Sequence, residues 1–211
     1  MDMKLGIIIP TYDSLDTLKV LIENIYSYTD GEYEIFVIED GQKEKTRKWL
    51  REQDFRTIFH EKNEGVAKSW NDGIRMAMAN DCTHFAVLND DIELPMNWWS
   101  KCRDLFSNAH LVTVKSDIQH TVISGWFFIL DIKCINKVGY FDEQFSPCFF
   151  EDVDYGIRFH NSRLKSAIAD IDVFHHGGMT TYGTLKKESK ISFDNNLIKF
   201  RKKYPNLRMQ L

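Results

Sequence analysis

Leu5-Gly-Ile-Ile-Ile-Pro-Thr-Tyr12 opens on a continuous apolar run closed by Pro10. Such a run has no polar alternation, so it reads as a strand buried on both faces, the kind found in a parallel sheet. Working outward, Asp13 or Ser14 can cap a helix whose apolar residues Leu15, Leu18, Leu21, Ile22 and Ile25 recur at helical spacing. Glu34 to Ile38 is a second strand and runs into Glu39-Asp40-Gly41. A basic helix around Lys43 to Gln53 follows, with Trp49 and Leu50 inward, then a short strand from Thr57 to His60. Asn63-Glu-Gly65 turns the chain into a helix from about Val66 to Asn80, and Phe85 to Leu88 is a strand ending on Asn89-Asp90-Asp91. Strand and helix in alternation predict an α/β fold, a mostly parallel central sheet with helices on both sides. Ligands of such sheets bind beyond the carboxyl ends of the strands, so Asp40 and Asp91 point at one crevice.

The second half is less regular. Val112-Thr-Val and Val122-Ile-Ser read as strands, and Gly125 to Leu130 as a buried one. Helices are expected near Ile132 to Val138 and from about Val153 to Ser162. Ser166-Ala-Ile-Ala and the strand-like Asp172-Val-Phe-His-His-Gly-Gly178 follow. No repeat, linker or boundary interrupts the chain. The expectation is therefore one domain over 1–211: a nucleotide-binding half (1–95), an acceptor and catalytic half (96–180) and a basic helical tail (181–211).

At 211 residues, 43% of them hydrophobic and 27% charged, the composition is that of a cored globular domain. A net charge of −4 excludes wholesale electrostatic binding to nucleic acid or membrane. From Leu185 onward, however, Lys186, Lys187, Lys190, Lys199, Arg201, Lys202, Lys203 and Arg208 face only Glu188 and Asp194. That tail is either a solvated helix face or a contact for an anionic acceptor or a membrane surface. The 4 cysteines are scattered, without a CxxC pair. Free thiols, a cytoplasmic setting and at most peripheral contact with the inner face of a membrane are expected.

The densest chemistry lies in Phe149-Phe-Glu-Asp-Val-Asp-Tyr155, where Glu151, Asp152 and Asp154 crowd beside aromatic rings. Low dielectric and like charge both raise a carboxylate's pKa, which suits an acid that works as a base. The same acids also suit a helix N-terminus. Asn89-Asp90-Asp91 at a strand end offers oxygen ligands to Mg2+ or Mn2+, or is an ordinary turn. His175-His176-Gly177-Gly178 could complete such a site with one imidazole, the glycines letting backbone approach a ligand. Asp40 can accept the imide N–H of a uracil or simply form an Asp-Gly turn. Asn63, Gly65, Lys68 and Asn71 lie at a helix start, where amide groups and the Lys68 charge favour a diphosphate; ordinary capping by Asn63 is the alternative.

Taken in order, these stretches resemble the catalytic domain of glycosyltransferase family 2, of GT-A fold and near its rhamnosyltransferase-like subgroup. The resemblance rests on Ile7 to Tyr12, Val37 to Gly41, Asn63 to Ala67 with Asn71 to Ile74, and Leu88 to Glu93 with Trp98. It continues through Val138 to Phe145, Phe150 to Tyr155 and Val173 to Gly178, and so covers roughly residues 4 to 180. It implies a metal-dependent inverting transfer of a sugar from a nucleotide-diphosphate donor, a UDP-sugar favoured, to an acceptor hydroxyl. By position, Asp40 resembles the base-reading acid, Pro10, Thr11, Tyr12 and Asp13 the loop lining the nucleoside, and Asp90 a donor-side acid. Asp91 resembles the last acid of the metal motif, with His175 as a further contact and His176 as competitor. Asp152 resembles the base that deprotonates the acceptor; Trp126, Glu151 and Asp154 would support the acceptor or the base.

There are departures too. Asp13 stands where the family often has Asn, Trp70 where it often has Arg, and Asn89 where the metal motif often begins with Asp. A saccharide acceptor is favoured; the basic tail with Trp126, Tyr182 and Tyr204 leaves a nucleic-acid acceptor open. Two other functions fit the same residues: a metal-dependent nucleotidyltransferase or phosphoesterase, and a nucleotide-sugar-binding module without catalysis.

Overall fold

The computed structural model describes residues 3–115, 122–177 and 186–207, with the side chains of 186–188 outside the description. Gly178, Tyr182 and Arg208 therefore lie outside the described residues, as do the side chains of Lys186, Lys187 and Glu188. Nine strands are described: β1 (Leu5–Thr11), β2 (Tyr33–Glu39), β3 (Arg56–Phe59), β4 (His84–Leu88), β5 (Ile92–Glu93), β6 (Leu111–Val114), β7 (Phe127–Asp131), β8 (Ser166–Ala169) and β9 (Phe174–His175). Between them run α1 (Leu15–Tyr28), α2 (Glu44–Arg51), α3 (Val66–Met78), α4 (Trp98–Arg103), α5 (Ile132–Val138), α6 (Glu151–Asn161) and α7 (Lys186–Lys203).

The main sheet has strand order β3-β2-β1-β4-β7-β6-β8. All of its strands run one way except β7, which pairs antiparallel with both β4 and β6. The expected mostly parallel sheet is thus present. Alternation along each strand feeds two cores. Leu5, Ile7 and Ile9 of β1 face α1 and α4, whereas Ile8 faces α3. The same alternation sends Ala86 and Leu88 to the first core and Phe85 and Val87 to the second.

The reversal of β7 matters most for the site. Because it runs backwards, its first residue sits at the edge where the parallel strands end, with Leu88 paired to Phe127. Gly125 and Trp126 are therefore not the start of a strand, as their apolar context suggested, but a turn at that edge. Val122-Ile-Ser is also not a strand; Ser124 makes only an isolated bridge to Phe127. The strand expected across Asp172 to His176 shrinks to β9, which pairs with β5 in a separate ribbon.

Candidate active site

The carboxyl edge of the sheet collects the residues singled out by sequence. Thr11 ends β1, Asp40 follows β2, and Asn89-Asp90-Asp91 follow β4. Thr11 Oγ donates to Asp90 Oδ2 at 2.6 Å, tying the first strand's end to the acid pair. Burial pushes the Asp90 carboxyl up to about 7 despite the Thr11 hydrogen bond, with the Asp91 charge adding to the rise.

Asp91 and His175 meet. The β5–β9 ribbon aligns Ile92 with His175 and brings His175 Nε2 to 3.2 Å from Asp91 Oδ1. His176 turns away and pairs with Glu93 Oε1 at 2.8 Å. Neighbouring ligands of an octahedral cation at ~2.1 Å stand about 3 Å apart, so a carboxylate oxygen and an imidazole nitrogen at this spacing fit Mg2+ or Mn2+. Among the described residues no cluster of three or more His, Cys, Asp or Glu could hold a metal ion. Two protein donors are nonetheless enough for an ion that takes its other ligands from phosphates and water.

A chain of contacts joins this pair to the acid cluster. The His175 ring stacks on Trp126, with centroids 4.8 Å apart and planes 17° from parallel. Gly125, next to Trp126, lies so close to Asp152 that a β-carbon there would sit 3.0 Å from Asp152 Oδ2. Asp152 is half-buried in the first turn of α6, and its Oδ1 accepts from Val153 N at 2.8 Å. Glu151 is buried, and its Oε2 has no hydrogen-bond partner among the described residues. Burial first, and the Asp152 charge second, lift Glu151 well above its ordinary 4.5; burial also raises Asp152. The same acids occupy the first turn of a helix, as the other reading of this stretch expected.

Linkage gives these shifts a measurable sign. An acid whose pKa is raised on folding favours the fold below its unfolded value and loses that advantage as pH rises through the folded one. Glu151→Gln, which removes the ionisable proton but keeps the shape, is therefore expected to melt above the parent at pH 8. The difference should shrink towards pH 4, as measured by thermal unfolding across pH.

Other candidates are placed differently from the expectation. Asn71 does not face the crevice: it is buried, donates to Phe141 O and Glu143 Oε1 at 2.9 and 2.8 Å, and accepts from Phe141 N at 2.9 Å. Asn63 is exposed and does not cap α3. The cap position is Gly65, at φ +98°, where a β-carbon would also strike Ser146 Oγ at 2.6 Å. Gly65 N and Val66 N are taken by Asp40 Oδ2 and Pro147 O, so the start of α3 is not the open amide cradle expected for a diphosphate. Lys68 is paired with Asp72. Trp70, at the position where Arg was noted as missing, is in the core against Phe128 and Phe141.

Asp40 Oδ1 accepts from Glu64 N at 2.8 Å and contacts His60 Nδ1 at 2.6 Å. His60, which the sequence offered only as the end of a strand, bridges Asp40 and Asp72, and these carboxylates raise its pKa. Asp13 Oδ1 accepts from Gln42 N and Lys43 N at 3.0 and 2.6 Å, clamping the loops after β1 and β2 together. Pro10 and Tyr12 line the same loop half-buried. Asp154 is fully buried, held by Arg158, Lys203 and Tyr204. It anchors the tail instead of supporting an acceptor. Lys199 and Lys203 are likewise spent internally, on Gln144 O and on Asp142. The other exposed tail cations among the described residues are Lys190, Arg201 and Lys202.

A parallel sheet with one reversed strand and acids gathered at its carboxyl edge defines an α/β protein of GT-A architecture. The glycosyl transferase family 2 model matches residues 6–154, and the chain belongs to that family. An uncharacterized glycosyltransferase of Acanthamoeba polyphaga mimivirus is 26% identical over 81% of this chain and 78% of its own length. Among solved structures, S. aureus TarS in complex with UDP-GlcNAc superposes at TM-score 0.65 with 15% identity, covering 81% of this chain and 57% of its own. A Pyrobaculum calidifontis mannosyltransferase in complex with GDP-Man and Mn2+ superposes at 0.62 with 15% identity, covering 80% and 55%. The chain thus spans little more than half of either solved protein. Among the described residues no helix is long and apolar enough to cross a membrane.

Proposed function

We propose that this chain is a metal-dependent inverting glycosyltransferase that moves a sugar from a nucleotide-diphosphate donor to an acceptor hydroxyl. One observation carries the reading: Asp91, His175, Trp126, Gly125 and Asp152 touch in sequence, joining the Asp91–His175 pair to the Glu151–Asp152 acids. The nucleotide sugars bound by TarS and the mannosyltransferase support a donor of that class here, with a UDP-sugar favoured.

In this reading Asp91 and His175 hold the cation. When bound, Mg2+ or Mn2+ neutralises charge building on the leaving diphosphate. Asp152 accepts the acceptor's proton as its oxygen attacks the anomeric carbon from the face opposite the leaving group. The raised pKa of Glu151 disfavours a second negative charge beside that base. Asp13, Asp40 and His60 fix the loops that would border the nucleoside. Trp126 bridges the two halves and gives the sugar an apolar wall. We assign residues 1–95 to the donor side and 96–180 to the acceptor side. A saccharide acceptor is preferred over a nucleic acid, given the net acidity of the chain.

Thermal unfolding with UDP-glucose, UDP-GlcNAc and GDP-mannose, each with and without Mn2+, tests the reading. At least one nucleotide sugar is expected to raise Tm with Mn2+ and much less with EDTA; binding at 100 times Kd stabilises by about 2.7 kcal/mol, or roughly 5–10 °C for a chain of this size. No shift with any of them contradicts a nucleotide-sugar enzyme. A shift without release of nucleoside diphosphate would instead mark a binding module.

A further inference from the structure

The acid pair is presented by a backbone that its own residues do not favour. Phe149 and Phe150, immediately before Glu151, both lie in the left-handed region, at φ 78° and 76°. Two successive phenylalanines there are costly, because the β-carbon crowds the following carbonyl. Something outside the segment must hold them, and α7 touches it from both ends.

On the upstream side, Asn196 is fully buried, and its Nδ2 donates to Phe145 O and Cys148 O, both at 2.8 Å, with Phe149 O at 3.3 Å and Ser146 O at 3.5 Å adding longer contacts. Its Oδ1 accepts from Lys199 Nζ at 2.8 Å, so the amide orientation is fixed. One turn earlier, Ser192 Oγ donates to Cys148 O at 2.8 Å. The two rings pack onto the same helix, Phe149 on Phe193 and Phe150 on Phe200. On the downstream side, Tyr204 Oη donates to Asp154 Oδ1 at 2.8 Å, and Lys203 pairs with the same carboxylate. Asp152 lies between these two grips.

We propose that Asn196 is a positioning residue for Asp152: by gathering the carbonyls of Phe145, Ser146, Cys148 and Phe149 it holds the left-handed Phe149–Phe150 link that aims the first turn of α6 at the Gly125–Trp126 turn. The inference rests on Asp152 being the base. It also makes α7, which lies beyond the residues 6–154 matched by the family, part of the working enzyme.

The test uses the full chain, Mn2+ and whichever of UDP-glucose, UDP-GlcNAc or GDP-mannose shifts Tm, reading donor turnover as nucleoside diphosphate released and donor affinity by calorimetry. Asn196→Ala is expected to lower kcat about a hundredfold, the size of loss that a misplacement near 1 Å produces, with donor affinity within about twofold of the parent. Ser192→Ala, which removes one neutral hydrogen bond and disturbs folding least, should lower kcat about fivefold with the same unchanged affinity. It decides the matter if Asn196→Ala fails to fold. Unchanged kcat in a folded variant overturns the inference, as does a parallel fall in kcat and affinity, which marks general loosening. Asp152→Asn, run alongside, separates the two levels. If it turns over normally, the base assignment fails; if it is slow while the tail variants are normal, only the positioning role fails.

Discussion

Asp152→Asn should remain folded and bind donor normally while turning it over about 10³-fold more slowly, within the range that general base catalysis supplies. The substitution preserves shape, and the amide oxygen can still accept from Val153 N, the hydrogen bond that Oδ1 makes now. What it removes is the capacity to take a proton. Folding should not suffer, because one of two crowded acids loses its charge and Glu151 is relieved of the repulsion that helps raise its pKa. The pH profile offers a second check. Burial raises Asp152 above its ordinary 3.8, and a base works only when ionised. Parent activity should therefore fall, as pH is lowered, at a higher pH than an unperturbed aspartate would give. Initial rates from pH 4 to 9, beside calorimetric donor binding, measure both effects. A parent-like rate in the variant would remove Asp152 from the chemistry.

The fold was legible because its signal is local and repeated. Apolar runs such as Leu5 to Ile9 and the spacing of Leu15, Leu18, Leu21 and Ile25 each commit a segment by periodicity alone. Parallel order then follows from alternation. What escaped was long-range pairing: the two-residue strands β5 and β9 have no periodicity to show, yet they bring His175 to Asp91. The reversal of β7 was equally invisible, since a buried strand reads the same in either direction.

The site was legible by residue type but not by orientation. Asp91 and His175 meet, and the Trp126 ring and Gly125 link them to Asp152. Asn71, Gly65 and Asp154 also match family positions, yet this chain spends them on packing against the 141–147 loop and α7. A sequence lists donors and acceptors but not who claims them, and buried polar groups are nearly always claimed from within. The left-handed Phe149–Phe150 link shows the limit most clearly, because nothing about phenylalanine announces a positive φ.

Asp91→Ala should abolish the metal dependence of donor binding and lower turnover about 10³-fold. A bound cation supplies several kcal/mol to a charged transition state, and each 1.36 kcal/mol is about tenfold in rate. Asp91 is buried, and His175 Nε2 lies 3.2 Å from its Oδ1. A neutral imidazole alone is a weak holder of a hard cation, which prefers oxygen ligands and charge. His175→Ala should accordingly weaken the Mn2+ effect but leave part of it. His176→Ala should leave all of it, since that ring pairs with exposed Glu93 on the other side. The discriminating measurement is donor affinity with Mn2+ and again with EDTA. Parent and Asp91→Ala should match in EDTA, where the site plays no part, and separate only when Mn2+ is present. Equal enhancement by Mn2+ in both proteins would place the cation elsewhere. Weaker binding in both conditions would make Asp91 a contact to the donor itself and not to a metal.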